Sequence, residues 1–114
     1  MSTSIVFLDI AGPDAASLRS FYSNVFGWET ETAQFAVSAT APLSATIRED
    51  PAEKRLYFGV EDATAKLAEI TDHGGSIDAA RFEVPGVVVL GLFRDPAGNP
   101  MGLVEMEDGE PRVP

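Results

Sequence analysis

Ile5-Val6-Phe7-Leu8-Asp9-Ile10 and, fifty positions later, Arg55-Leu56-Tyr57-Phe58-Gly59-Val60 are the two stretches on which the fold turns. In each, the even-numbered residues are wholly apolar and the odd-numbered ones are mixed, which is the period of a strand packed on one side. Each stretch is followed by an Asp-Ala pair, Asp14-Ala15 and Asp62-Ala63, and then by an amphipathic segment closed by glycine at Gly27 and Gly75. Two diverged copies in register imply one structural unit repeated within a domain, because a single copy could not cover its own sheet.

The helices follow from the same repeat. Asp14 is a candidate N-cap, Leu18, Phe21, Tyr22 and Val25 fall at the i, i+3, i+4, i+7 spacing of a buried stripe, and Gly27 suits the left-handed residue that ends a helix. In the second copy Asp62 caps, Ala63, Leu67 and Ile70 make the stripe, and Gly74-Gly75 terminates it. Strand character then returns at Gln34 to Val37 and Leu43 to Ile47, and again at Arg81 to Val84, Val87 to Phe93 and Met101 to Met106. The last two strands flank Asp95-Pro96-Ala97-Gly98-Asn99-Pro100, a run of turn formers that predicts a hairpin. Ser38 to Pro42 has no periodicity, and the strand pairing between Gln34 and Ile47 stays open.

The chain has 114 residues, 45% of them hydrophobic, enough for one domain with a real core. Eighteen acidic against eight basic residues give a net charge of -10, which repels phosphate backbones and anionic membranes. Nucleic acid and membrane are therefore not expected as partners. No cysteine is present, so thiolate metal sites and thiol nucleophiles are excluded. The absence of a long apolar run or basic leader places the expected location in the cytoplasm. Glu107 to Pro114, with its prolines and acids, reads as a flexible tail.

Several runs carry a family resemblance: Phe21-Tyr22-Ser23-Asn24-Val25-Phe26-Gly27-Trp28-Glu29, Gly74-Gly75, Val84-Pro85-Gly86, and Phe93-Arg94-Asp95-Pro96-Ala97-Gly98-Asn99-Pro100-Met101-Gly102-Leu103-Val104-Glu105. Together they resemble the vicinal oxygen chelate superfamily of glyoxalases, bleomycin-resistance proteins and extradiol dioxygenases. The resemblance implies an α+β fold of two paired βαβββ modules, about 1–50 and 51–107, whose curved mixed sheet forms a cup with helices on its outer face. It also implies a homodimer.

Enzymes of that superfamily hold a divalent metal with histidines from the first strand of each module and a glutamate from the last strand. Carried over here, Glu105 stands at the glutamate position, whereas the histidine positions fall at Ile5 or Phe7 and at Arg55 or Tyr57. None of these four replaces a neutral imidazole, so neither metal nor other cofactor is expected. His73, the single histidine, sits in the last turn of the second helix, where the helix dipole favours it structurally. The expected ligand-binding side chains are those of the mixed strand face: Phe7, Asp9, Arg55 and Tyr57, with Phe93, Met101, Leu103 and Glu105 from the later strands. Apolar and aromatic walls with a few polar groups are the usual chemistry of a small-molecule site.

The leading expectation is a metal-independent protein that sequesters or senses a small organic molecule, as the bleomycin-resistance proteins trap a cationic aromatic drug. One alternative is a lyase, isomerase or dioxygenase-like enzyme, with an unusual metal shell or with Glu105, the one catalytic candidate, as a base whose pKa burial raises toward neutrality. Another is a closed structural or interaction module in which Arg55 neutralises Asp9 or Glu105.

Overall fold

A computed structural model describes residues 2–37 and 42–114. The aperiodic Ser38 to Pro42 lies outside the described residues except for Pro42. The element order is β1 (Ile5–Gly12), α1 (Ala15–Phe26), β2 (Gln34–Val37), β3 (Leu43–Glu49), β4 (Glu53–Val60), α2 (Ala63–Asp72), β5 (Ser76–Val84), β6 (Val88–Arg94), β7 (Pro100–Glu107) and β8 (Glu110–Pro111). The chain is α+β, and it falls into two compact units, Phe7–Arg55 and Leu56–Pro114, the second joined by the residues up to Val6.

In the unit of Phe7–Arg55, β3 lies between β2 and β1, parallel to β1 and antiparallel to β2. Leu8 and Ile10 of β1 pack with Ala45 and Ile47 of β3 against Ala15, Leu18 and Tyr22 of α1. The helix begins where Asp14 accepts hydrogen bonds from the Ser17 N–H and hydroxyl, and ends at Gly27, whose φ of 72° is the left-handed conformation a side chain resists. Its buried stripe is narrower than expected. Phe21 and Val25 are 53% and 57% exposed and join Phe26 on an outer face, because the apolar contact of the helix with the strands runs along Ala15, Leu18 and Tyr22. Tyr22 continues inward by stacking on Trp28, ring centroids 4.9 Å apart.

The unit of Leu56–Pro114 repeats this plan with one more strand. Its order is β4-β7-β6-β5, with β4 parallel to β7 and β6 antiparallel to both neighbours. Asp62 caps α2 through the Ala65 N–H, and Ala63 and Leu67 pack on Val60, Phe93 and Leu103. This unit is the complete βαβββ module; among the described residues the first module has two strands after its helix rather than three. The β6–β7 hairpin is present, its turn held by Asp95, which accepts from the Ala97 and Asn99 N–H groups and the Asn99 amide. His73 is the C-cap of α2, as its position implied.

The C-terminal segment is not a loose tail. Residues 110–111 pair with β7, the Arg112 N–H donates to the Glu105 carbonyl at 2.9 Å, and the Pro114 carbonyl accepts from the Gly86 N–H at 3.2 Å. Composition suggested mobility because prolines and acids bury little, but backbone pairing with a neighbouring strand needs no apolar side chain.

Candidate functional site

Side-chain phase decides which residues each unit presents away from its helix. In the unit of Phe7–Arg55, Leu8 and Ile10 face α1, so Phe7 and Asp9 take the opposite face of β1. The same alternation turns Thr46 and Arg48 of β3 to that face, because Ala45 and Ile47 are in the core. Asp9 is 2% exposed. Both of its oxygens share one donor, the Arg48 Nε–H, at 2.9 and 2.8 Å. The two remaining Arg48 nitrogens donate to Asp50 at 2.6 Å and Glu53 at 3.0 Å, and the other Glu53 oxygen accepts from Arg55 at 3.1 Å.

Burial raises the Asp9 carboxyl above its ordinary range, and the hydrogen bond and charge of Arg48 only partly offset this. Burial works against the charge of Arg48 too, yet its bond to Asp9 and the adjoining carboxylates outweigh it and raise its pKa. Arg48, which the sequence alone did not single out, bonds to this buried acid on β1, and the charge of Arg55 also favours its ionised form. The alternation of Arg48 with Ile47 on a strand whose pairing was unknown gave no usable signal.

In the other unit the phase of β7 differs from the expected one. Phe93, Met101 and Leu103 belong to the cluster that packs on Ala63 and Leu67 of α2. Glu105, 3% exposed, lies on that same helix-covered side. Its carboxylate accepts from the Ala63 N–H at 3.1 Å, from two Arg81 nitrogens at 2.9 Å each, and from Arg112 at 3.2 Å. An anion at the first turn of α2 is further favoured by the helix dipole. The face of β7 turned away from α2 is marked instead by Gly102, paired in register with Tyr57. A Cβ at Gly102 would run into the Tyr57 ring, so the ring lies directly over the glycine. Gly102 and Glu105 are three residues apart, an odd spacing that separates them onto opposite faces of one strand.

The family model of the glyoxalase-like domain matches residues 5–104. The chain belongs to this family. The vicinal oxygen chelate superfamily is thereby its wider group, in agreement with the solved structures that resemble it. A methylmalonyl-CoA epimerase in complex with methylmalonyl-CoA and NH4+ superposes over 98% of this chain and 100% of its own, with a TM-score of 0.71 at 18% identity. A glyoxalase/bleomycin resistance protein/dioxygenase superfamily member from Vibrio splendidus covers 92% of this chain and 100% of its own, with a TM-score of 0.64 at 13% identity. At such identities the likeness is one of fold. Among curated proteins, the anthracycline biosynthesis protein DnrV of Streptomyces peucetius is 24% identical over 118 residues, covering 81% of this chain. The chain spans 43% of the length of that relative.

The superfamily's divalent metal can now be tested against this glyoxalase-like domain's own residues. Ile5 and Phe7 supply no ligand atom, nor does the Arg55 guanidinium. Glu105 is turned toward α2 and already accepts from two guanidiniums and a helix N–H. The β7 position sharing a face with Tyr57 is Gly102, which has no donor atom to offer. Among the described residues no group of three or more His, Cys, Asp or Glu side chains is arranged to hold a metal ion. The residues present do not fit the metal.

The base reading of Glu105 is corrected as well. The Arg81 hydrogen bonds, together with the Ala63 N–H and the nearby charges, hold its carboxyl well below the usual range, at about 2, where burial alone would have raised it. A carboxylate so acidic is a poor proton acceptor at neutral pH. Of the eight residues expected to line one site, three lie in the unit of Phe7–Arg55 and five in the other. Phe7, Asp9 and Arg55 belong to one unit. In the other, Tyr57 lies over Gly102, while Phe93, Met101, Leu103 and Glu105 sit under α2. Among the described residues no helix is long and apolar enough to cross a membrane.

Proposed function

We propose that this glyoxalase-like domain binds a small organic molecule, without a resident metal, on strand surfaces turned away from the helices. Its role is sequestration, resistance or sensing. The observation that carries this reading is the glycine at the last-strand position opposite Tyr57, roofed by the aromatic ring, with Glu105 committed to the fold. An aromatic ring, only 7% exposed, beside a strand position that bears no ligating group suits apolar contact rather than chelation. The net charge of -10 favours cationic over anionic aromatic ligands.

The test is a thermal-shift and calorimetric screen of aromatic amines, neutral aromatics and aromatic carboxylates against the wild type and Tyr57→Leu. Selective binding that Tyr57→Leu weakens, in a protein that still folds, supports the proposal. Binding of no class, or affinity indifferent to Tyr57, overturns it.

The protein acts as a homodimer in this reading. Phe21, Val25 and Phe26 are all more than half exposed on α1, and no acidic residue lies within that helix. A second copy bearing the same negative charge meets least repulsion there. Light scattering should give twice the chain mass for the wild type and one chain mass for Phe21→Ser/Phe26→Ser; a monomeric wild type excludes the dimer.

A further inference from the structure

β6 is apolar on both of its faces. An antiparallel strand covered by a helix on one side is commonly apolar there and polar on the other. The α2 side of β6 is taken by Val89, Gly91 and Phe93: Phe93 packs in the cluster under α2, and a Cβ on Gly91 would lie 3.1 Å from a Leu67 methyl. The opposite side reads Val88, Leu90 and Leu92 before it reaches Arg94, and all four are half-buried. Register carries this apolar side onto both neighbours. Val84 and Phe82 of β5 oppose Val88 and Leu90, while Val104 and Gly102 of β7 oppose Leu90 and Leu92. Tyr57, opposite Gly102 in turn, closes the strip on its inner side. Exposure rises across it, from 4% at Val104 and 7% at Tyr57 to 36% at Phe82. The strip is also bounded along its length. One end is the turn in which the Val87 N–H donates to the Val84 carbonyl, and the other is Arg94, which donates to Asp78 at 3.2 Å and to the Gly98 carbonyl at 2.9 Å.

We propose that this strip is the floor of the small-molecule site and that it receives a flat, uncharged ring system, with Phe82 and Leu92 as the side chains that set the fit. The inference rests on the small-molecule reading above and names the surface and the ligand class that serve it. Size selects the occupant. From Val88 to Leu92 and across three strands the strip measures about 13 Å by about 10 Å, far below the roughly 800 Å² that each partner of a stable protein complex buries, and it matches a molecule of two or three fused rings. Chemistry selects the ring system. Phe82, Leu90 and Leu92 bear no hydrogen-bonding group, so nothing along the strip compensates the desolvation of a charge, and the charges of Arg94 and Asp78 at its end already face one another.

The experiment titrates N-phenyl-1-naphthylamine, an uncharged fluorescent probe, into the wild type, Phe82→Ala, Leu92→Gln and Ile77→Ser. Ile77 is an exposed apolar residue of the same edge strand, but it opposes Phe93 on the α2 side. Phe82→Ala should weaken binding about fivefold and Leu92→Gln about tenfold or more, while Ile77→Ser leaves it unchanged. In wild-type protein labelled at the leucine methyls, nuclear Overhauser effects from the bound naphthyl protons should reach Leu90 and Leu92; this readout needs no variant and decides if Leu92→Gln does not fold. Effects confined to other leucines, or equal affinity in all three variants, overturn the assignment of the strip while sparing the small-molecule reading. A wild-type dimer that Leu92→Gln converts to a monomer makes the strip a face between copies and overturns the assignment too. Failure of the probe to bind overturns the assignment alone, and failure of every compound in the aromatic screen above overturns both.

Discussion

Glu105 shows how the repeat explains a single residue. Ile10 of β1 pairs with Ile47 of β3, and its repeat partner Val60 pairs with Glu105 of β7, so Glu105 occupies the place that Ile47 fills in the other unit, each beside the first alanine of its helix. It is a core position bearing a charge, made tolerable by Arg81, Arg112 and the Ala63 N–H. Its folded pKa of about 2 lies below the ordinary 4.5, so the stability it contributes is complete above pH 4.5 and is lost as pH falls toward 2. Screening by solvent around the part-exposed arginines trims that contribution to about 2 kcal/mol. Glu105→Gln should therefore lower stability by about 2 kcal/mol at pH 7 and flatten the acid limb of the urea-midpoint-versus-pH curve; an unchanged acid limb would show the carboxylate to be unpaired. At Gly102 the issue is space. Gly102→Ala should cost about 1–3 kcal/mol by forcing the Tyr57 ring aside, and removing the ring in Gly102→Ala/Tyr57→Ala should recover about 1 kcal/mol or more relative to the sum of the single changes. Strictly additive effects in denaturant titrations would mean that the two do not touch.

At the scale of elements, the C-terminal strand is the most exposed to test. Ending the chain after Asp108 deletes the β8 pairing, the Arg112 contacts with Glu105 and the bond from Gly86 to Pro114. The loss should lower Tm by about 5 °C or more, the shift that accompanies ~1 kcal/mol in a domain of this size; an unaltered Tm would restore the mobile-tail expectation. The sequence made β1, β4, both helices and the β6–β7 hairpin legible, because period, caps and turn chemistry act locally and agree. Three features escaped it, each because a partner distant in the chain decides them. The phase of β7 was unreadable, since Met101 and Leu103 are as apolar as Val104 and Met106 on the alternate face. The outer half of the α1 stripe was taken as buried, although apolar spacing states what a helix could cover rather than what the strands reach. The network around Asp9 needed the parallel register of β1 and β3, which places Arg48 diagonally across from it. No local pattern encodes that register.

For the whole molecule the dominant quantity is charge. Eighteen acidic residues against eight basic ones leave -10 on 114 residues; ion pairs draw six carboxylates toward Arg48, Arg81 and Arg112, and Glu69 and Asp78 toward Lys66 and Arg94, and the acids still outnumber the cations and repel one another. Salt acts on the two populations in opposite directions. It screens the exposed acids, relieving repulsion that opposes the compact state, but reaches the buried Asp9 and Glu105 pairs far less, because those carboxylates are withdrawn from solvent. Repulsion should therefore win. Raising NaCl from about 0.02 M to about 0.5 M is expected to lift Tm by a few degrees, roughly the effect of 0.5–1 kcal/mol. Glu105→Gln should retain that rise, since the pair it breaks lies outside the screened population. A Tm that falls with salt would mean that the arginine networks, rather than apolar packing under α1 and α2, hold each unit together, and would assign Arg48 and Arg81 the larger share of stability.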